Sequence, residues 1–342
     1  MGRDWKRAGT RHRASPLPDM AAPLDIGEQR FTRNAVQVLE GISMYPDSGK
    51  AELAFSNTGH LVYAPGTMFK GRDSLVFIDR DGKEKPIDLP SGKDESHILS
   101  ENSLSPDGNR LAVTLYMANN DIYIYDFANG TLARETFEGS DEAAPVWAPD
   151  GKRLAYTSEP GSSYQMFLKN TVGSGNPKPI FSSEDPRYPS SFTPDGKVLA
   201  FVENNPKTGS DIWTGPIEGD GQPTPFLRTK YEEWNPAFSP DGQWIAYQSN
   251  KSGQMQVYVV RYPDAGGERQ VLRDGGEEPR WAASGKELFY RNGNQFVAVE
   301  MAFKPATIEF TTRKGLFKTD QSLRSGFLVP TALYPMARSS FL

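Results

Sequence analysis

Four aspartates recur in one setting: Asp107, Asp150, Asp195 and Asp241 each stand between a Pro and a Gly. Carboxylates repeated in this way could act as general acids or bases, or as ligands to a hard cation. The full settings are Ser105-Pro106-Asp107-Gly108, Ala148-Pro149-Asp150-Gly151, Thr193-Pro194-Asp195-Gly196 and Ser239-Pro240-Asp241-Gly242. Pro presets φ at the first central position of a tight turn, Asp bonds its own backbone, and Gly accepts a positive φ. A turn demands these residue types in this order whether or not chemistry follows. Asp107, Gly108, Asp150, Gly151, Asp195, Gly196, Asp241 and Gly242 are therefore assigned to structural turns.

Other reactive residues are sparse. The three histidines, His12, His60 and His97, do not stand at metal-ligand spacing, and the chain has no Cys. That excludes disulfides, thiolate metal sites and Cys nucleophiles together. Asp79-Arg80-Asp81-Gly82 opens like a calcium loop, but the later acidic ligand is misplaced, and it reads as a hairpin turn. No G-x-S-x-G elbow, phosphate-binding G-x-x-x-x-G-K-[ST] or kinase H-R-D and D-F-G set occurs. No catalytic residue, cofactor or metal is expected, and the chain reads as a non-enzyme.

One constellation remains. Asp141-Glu142, Asp185-Pro186-Arg187-Tyr188, Tyr231-Glu232-Glu233-Trp234 and Glu277-Glu278 each precede a short extended run, and Arg280 follows the last. Were those runs to line a channel, their lead-in loops would converge on one rim. Glu142, Glu233 and Glu278 would make it acidic, Tyr188, Tyr231 and Trp234 would be aromatic anchors, and Arg187 and Arg280 would be interspersed. Aromatic and Arg residues dominate protein-binding hot spots, so the partner expected is a protein or peptide. The alternative is a set of solvated loops with buried aromatics.

The elements that would position this rim follow from the repeat. Eroded copies of the turn, Ser56-Asn57-Thr58-Gly59 and Ala282-Ala283-Ser284-Gly285, flank the four intact ones. From Gly59 through Gly108, Gly151, Gly196, Gly242 and Gly285 the spacings are 49, 43, 45, 46 and 43. A period of about 45 residues marks stacked supersecondary units. Each unit reads as four strands. In the unit from Glu232 to Arg273 these are Asn235–Phe238, Trp244–Tyr247, Gln256–Val260 and Arg269–Leu272, separated by turns rich in Gly, Asp and Ser. Ala112, Ala155, Ala200 and Ala246 recur in mid-second-strand, which suits close stacking of sheets. No segment keeps a helical period over a dozen residues. The fold expected is all-β: a β-propeller of six complete four-stranded blades, about residues 51–318, with a partial closing blade.

Composition agrees. The 19 Phe, 14 Tyr and 6 Trp argue against disorder, while 32 Gly and 27 Pro suit a turn-rich chain. A net charge of −5, with scattered basic residues, gives no footprint for nucleic acid. No apolar stretch approaches the ~20 residues that span a bilayer, so no membrane insertion is expected. Arg3, Lys6, Arg7, Arg11 and Arg13 have no apolar segment behind them, so no export signal is read. A monomer is expected.

The S-P-D-G-x-x-[LI]-A-[YF] pattern resembles the TolB-type, WD-like propeller repeat, over about residues 20–327. The last four units are also similar to propellers C-terminal to bacterial eukaryote-like serine/threonine kinases. Trp-Asp pairs typical of WD repeats are absent. The TolB resemblance implies an envelope or periplasmic scaffold; the kinase-linked one implies a sensor or docking ectodomain. The alternatives are a propeller fragment of a larger kinase- or peptidase-linked enzyme, and a small-ligand sensor. Residues 1–19 match no strand and are expected to be disordered or artefactual. The tail, 328–342, departs from the repeat: the codons of Tyr334-Pro335-Met336-Ala337, read one frame over, permit Ser/Pro-Asp-Gly. A frameshift hiding the opening strands of a closing blade is the expectation, tested by resequencing.

Overall fold

The computed structural model describes residues 98–318, apart from 117–119, 160–163, 174, 272, 294 and 305–306, and before them a set of short strands and one turn. The expectations for His12, His60, His97, most of 1–19 and the 328–342 tail lie outside the described residues. The chain divides into two units, 1–73 and 74–342. In the first, β1 (Trp5–Lys6), β3 (Arg30–Phe31) and β4 (Val36–Leu39) each pair antiparallel with β2 (Asp19–Asp25), and β5 (Leu53–Phe55) pairs with β6 (Leu61–Tyr63). The second opens with a hairpin of β7 (Leu75–Ile78) and β8 (Glu84–Ile87), with Arg80 and Asp81 in its turn.

Five four-stranded blades follow. Blade I is β9 (Ile98–Leu104), β10 (Arg110–Tyr116), β11 (Asp121–Asp126) and β12 (Thr131–Arg134). Blade II is β13 (Asp141–Trp147), β14 (Arg153–Glu159), β15 (Tyr164–Asn170) and β16 (Lys178–Ser183). Blade III is β17 (Arg187–Phe192), β18 (Val198–Asn205), β19 (Gly209–Pro216) and β20 (Thr224–Leu227). Blade IV is β21 (Glu233–Phe238), β22 (Trp244–Ser249), β23 (Gln256–Arg261) and β24 (Arg269–Gln270). Blade V is β25 (Glu277–Trp281), β26 (Glu287–Asn292), β27 (Gln295–Lys304) and β28 (Thr307–Lys318). Strands run in simple sequence order, all antiparallel.

The architecture is an all-β propeller with five four-stranded blades, which corrects the expected six complete blades and partial seventh. Among the described residues, the segment read as the first full blade carries two two-stranded pairings, β5–β6 and β7–β8. The reason is ladder length. β6 has three residues and β7 four, against six to eight in the second strands of the five blades. The sequence Ser56-Asn57-Thr58-Gly59 also lacks the Pro and Asp of the intact repeats.

The core lies between blades rather than within them. Ala155, Met166 and Phe181 of blade II pack with Phe192, Leu199 and Phe201 of blade III, and blades III–IV and IV–V repeat the arrangement. Ala112, Ala155, Ala200 and Ala246 are fully buried, as close sheet contact requires. First strands of consecutive blades adjoin, and side chains bolt them together. Ser103 Oγ accepts the Trp147 amide at 3.2 Å while its carbonyl accepts Trp147 Nε1 at 3.0 Å. Ser191 Oγ donates to Pro236 O and accepts the Phe238 amide, and Trp281 Nε1 donates to Ala237 O.

The Pro-Asp-Gly turns form a second seam. Asp107, Asp195 and Asp241 each accept a bond from the hydroxyl two residues before and from the amide two residues after. Ala148 has no hydroxyl, and Asp150 takes Arg153 instead, at 2.6 Å. The Ser105 hydroxyl, then the Asn109 amide, hold the Asp107 carboxyl below the usual carboxylate range. The turn glycines have φ between 65° and 73°, and Gly151, Gly196, Gly242 and Gly285 abut the Pro of the preceding turn. A Cβ on Gly242 would meet Pro194 Cδ at 3.1 Å, whereas one on Gly108 would meet nothing within 4 Å. Both positions resist a β-branched residue through φ, at about 1–3 kcal/mol. Gly242→Val is expected to lose more stability than Gly108→Val in urea melts, and equal losses would contradict the seam.

Candidate functional site

The lead-in end of each blade's first strand, opposite the Pro-Asp-Gly turns, was the region singled out by residue type. There the backbone departs from a plain ladder. Register shifts fall at Ala143/Val146, Pro189/Ser191, Trp234/Ala237 and Glu277/Arg280. Ala144, Asn235 and Glu278 sit in these bulges with φ of 54°, 52° and 59°. Non-Gly residues seldom take this conformation, and bulges re-aim the side chains beyond them. Gln248 ties two bulges together: its Oε1 accepts the Glu278 amide at 2.7 Å and Asn235 Nδ2 at 3.0 Å.

The bulges decide where the expected rim residues point. Glu142, Arg187, Glu233 and Glu278 are all buried, so the charges expected on a solvated rim are interior groups. Glu142 Oε1 accepts bonds from Ser140 and Ser158 hydroxyls at 2.7 and 3.1 Å, and burial pushes its carboxyl above the usual range. Arg187 pairs with Glu203 at 2.6 Å, donates to Ser182 O, and lies over the rings of Phe201 and Trp213 at 5.3 and 5.2 Å. Glu278 is held by both its oxygens: Arg291 donates to them through Nε and Nη2, each at 2.9 Å, and also reaches Glu277 at 2.9 Å. Glu233 Oε1 accepts from Thr229 Oγ1 at 2.6 Å.

Tyr188, Tyr231, Trp234 and Arg280 stay half-exposed. Lys230 Nζ lies 5.2 Å from the Tyr231 ring centroid, and the Tyr231 amide donates to Thr229 Oγ1 at 3.0 Å. Arg280 donates to the Pro279 carbonyl, and desolvation lowers its guanidinium below its ordinary value, against the pull of Glu278. What the site offers is partly exposed aromatic side chains beside buried charged groups, of which Arg187 and Glu278 are ion-paired. Among the described residues, no group of three or more His, Cys, Asp or Glu side chains is arranged to hold a metal ion. No helix among them is long and apolar enough to cross a membrane.

Residue types alone missed the Lys251 cluster beside this site. Lys251 Nζ stands 3.8 Å from the Tyr258 ring centroid, bonds Tyr247 Oη at 2.8 Å, and pairs with Glu268 at 2.5 Å. Tyr247 and Tyr258 lie opposite each other on β22 and β23, with stacked rings. The alternation of those strands was the signal that could have found it.

Comparison with known proteins gives this geometry a family context. Residues 91–214 match the family model described as the TolB beta propeller domain. Mouse (Mus musculus) prolyl endopeptidase FAP is 29% identical over 160 residues, covering 39% of this chain and 20% of that protein. Tol-Pal system protein TolB of Anaeromyxobacter dehalogenans (strain 2CP-C) is 29% identical over 112 residues, covering 31% of this chain and 24% of that protein. The chain thus matches a quarter or less of these curated relatives' length. The solved structure of TolB from Acinetobacter baumannii superimposes with a TM-score of 0.56 at 17% identity, over 93% of this chain and 79% of that one, which shows the shared fold.

Proposed function

We propose that the chain is a non-catalytic, TolB-like propeller scaffold whose first-strand lead-in loops dock a protein or peptide. The observation that carries this reading is the partial exposure of Tyr188, Tyr231 and Trp234 next in sequence to buried charged groups. Rigid aromatic surface on well-packed strands is what hot spots are made of. The matched Tol-Pal system protein belongs by name to a multi-protein system, which supports a docking role and an extracytoplasmic, periplasmic setting. A monomeric state and the absence of a nucleic-acid partner belong to the same proposal. The finer reading, the sensor or docking part of a bacterial receptor kinase, rests on the resemblance of the last four units; an in-frame kinase and membrane span upstream in the gene would establish it.

The test uses peptides selected from a displayed library against the whole chain. Tyr231→Ala and Trp234→Ala are each expected to weaken their binding at least about tenfold, the scale of a hot-spot truncation. Lys152→Ala, in the exposed turn at the opposite end of blade II, is expected to leave binding unchanged. Unaltered affinity in both aromatic variants would overturn the proposal.

A further inference from the structure

Two buried carboxyl groups flank the linker where blade III hands over to blade IV. Asp211, on β19, is fully buried: Oδ2 accepts from Thr208 Oγ1 at 2.5 Å and faces Arg228 Nε at 3.5 Å, while Oδ1 has no hydrogen-bond partner. Glu233, on β21, is 1% exposed; Oε1 is bonded to Thr229 Oγ1, and Oε2 has no partner. Thr229, whose hydroxyl bonds Glu233, directly follows Arg228, the partner of Asp211. Thr229 opens the loop that carries Tyr231 and Trp234.

Among the described charged neighbours, Arg228 forms an ion pair with Asp211 at 3.5 Å, and none forms one with Glu233. From β17 and β18, Arg187 and Glu203 are bonded to each other. From the linker, Arg228 keeps its side chain 42% exposed. From the loop, Glu232 accepts the Ser210 amide at 3.1 Å. From blade IV, Lys251 is committed to Glu268 and to the faces of Tyr247 and Tyr258. An orphaned carboxylate oxygen in the interior is strongly unfavourable as an anion and tolerable as an acid, and two adjacent carboxylates resist ionising together.

We propose that Asp211 and Glu233 form a proton-operated latch on the docking loop. With a proton on Glu233, the Thr229–Trp234 segment stays seated on blade III; with both groups ionised, like charges drive it off and capture weakens. This rests on the docking reading for its functional meaning. Burial first, and then Asp211, push Glu233 up to about 7 against the opposing pull of Lys251, and burial raises Asp211 as well. The latch is therefore closed below neutral pH and opens as pH rises through about 7.

Hydrogen exchange on the free, whole chain tests it. Amides of 229–235, corrected for intrinsic base catalysis, are expected to lose about tenfold in protection between roughly pH 6 and pH 8.5. Glu233→Gln is expected to keep the acid-side protection at both pH values. Protection that ignores pH in the wild type, or a fall that survives in Glu233→Gln, would overturn the latch. A carbon-13 titration of the wild-type carboxyls gives a second reading independent of any variant: a glutamate midpoint near 7 is expected, and ordinary midpoints throughout would overturn it. Both measurements need no partner, so failed peptide capture would remove the docking reading and leave the latch standing.

Discussion

Arg291→Met is expected to destabilise the protein by about 3–5 kcal/mol, the cost of removing one partner from a buried ion pair. Arg291 and Glu278 side chains are each 7% exposed. Arg291 pairs with Glu278 inside the propeller through two bonds of 2.9 Å, and it reaches Glu277 as well. Without it, one fully desolvated carboxylate is left in a bulge whose φ is already 59°. For a domain of this size such a loss lowers Tm by roughly 6–20 °C. Adding Glu278→Gln to the variant is expected to restore much of the stability, since the orphaned charge and not the missing guanidinium carries the cost. Urea unfolding of the four members of that double-mutant cycle checks this. A loss under about 1 kcal/mol for Arg291→Met, or no recovery in the double variant, would show that the pair is solvated.

The second large effect has the opposite sign. Glu233→Gln is expected to stabilise the protein by about 3 kcal/mol at pH 8 and by almost nothing at pH 4. The carboxyl holds its proton to about 7 in the folded chain and to an ordinary 4.5 once unfolded. Below 4.5 both states are protonated and the group makes no difference. As pH rises from there, the unfolded chain releases the proton first, so wild-type stability falls until about pH 7 and then levels. Gln cannot ionise, so its curve lacks that descent. Thermal melts of both proteins from pH 4 to pH 8 check it; parallel curves would show that Glu233 ionises normally despite its burial.

These two residues also show where sequence reasoning stops. The repeat was legible because turn chemistry is local: Pro, Asp and Gly at fixed offsets dictate φ and hydrogen bonding with no help from the rest of the chain. The small second-strand residues were legible for a similar reason, since Ala112, Ala155, Ala200 and Ala246 report close sheet contact directly. Blade number was not, because β5 to β8 have strand-like residues in runs of only three or four, shorter than the second strands of the five blades. Nor was the burial of Glu142, Glu233 and Glu278. Strand alternation has a period of two, and a bulge resets it, so residues before and after the bulge exchange faces. Ala144, Asn235 and Glu278 share a left-handed backbone and no residue type, so nothing in the sequence announced the reset. Tyr188, Tyr231 and Trp234 keep part of their surface exposed, since half-buried aromatics suit either face.

The central claim, that partners dock at the lead-in loops, is tested most directly by photocrosslinking. A benzophenone side chain is placed at Tyr231 in one variant and at Lys152 in another, and each is irradiated with a peptide selected on the unmodified chain. The account predicts a covalent adduct from position 231 and none from 152. An adduct from 152 alone, or equal yields from the two, would contradict it.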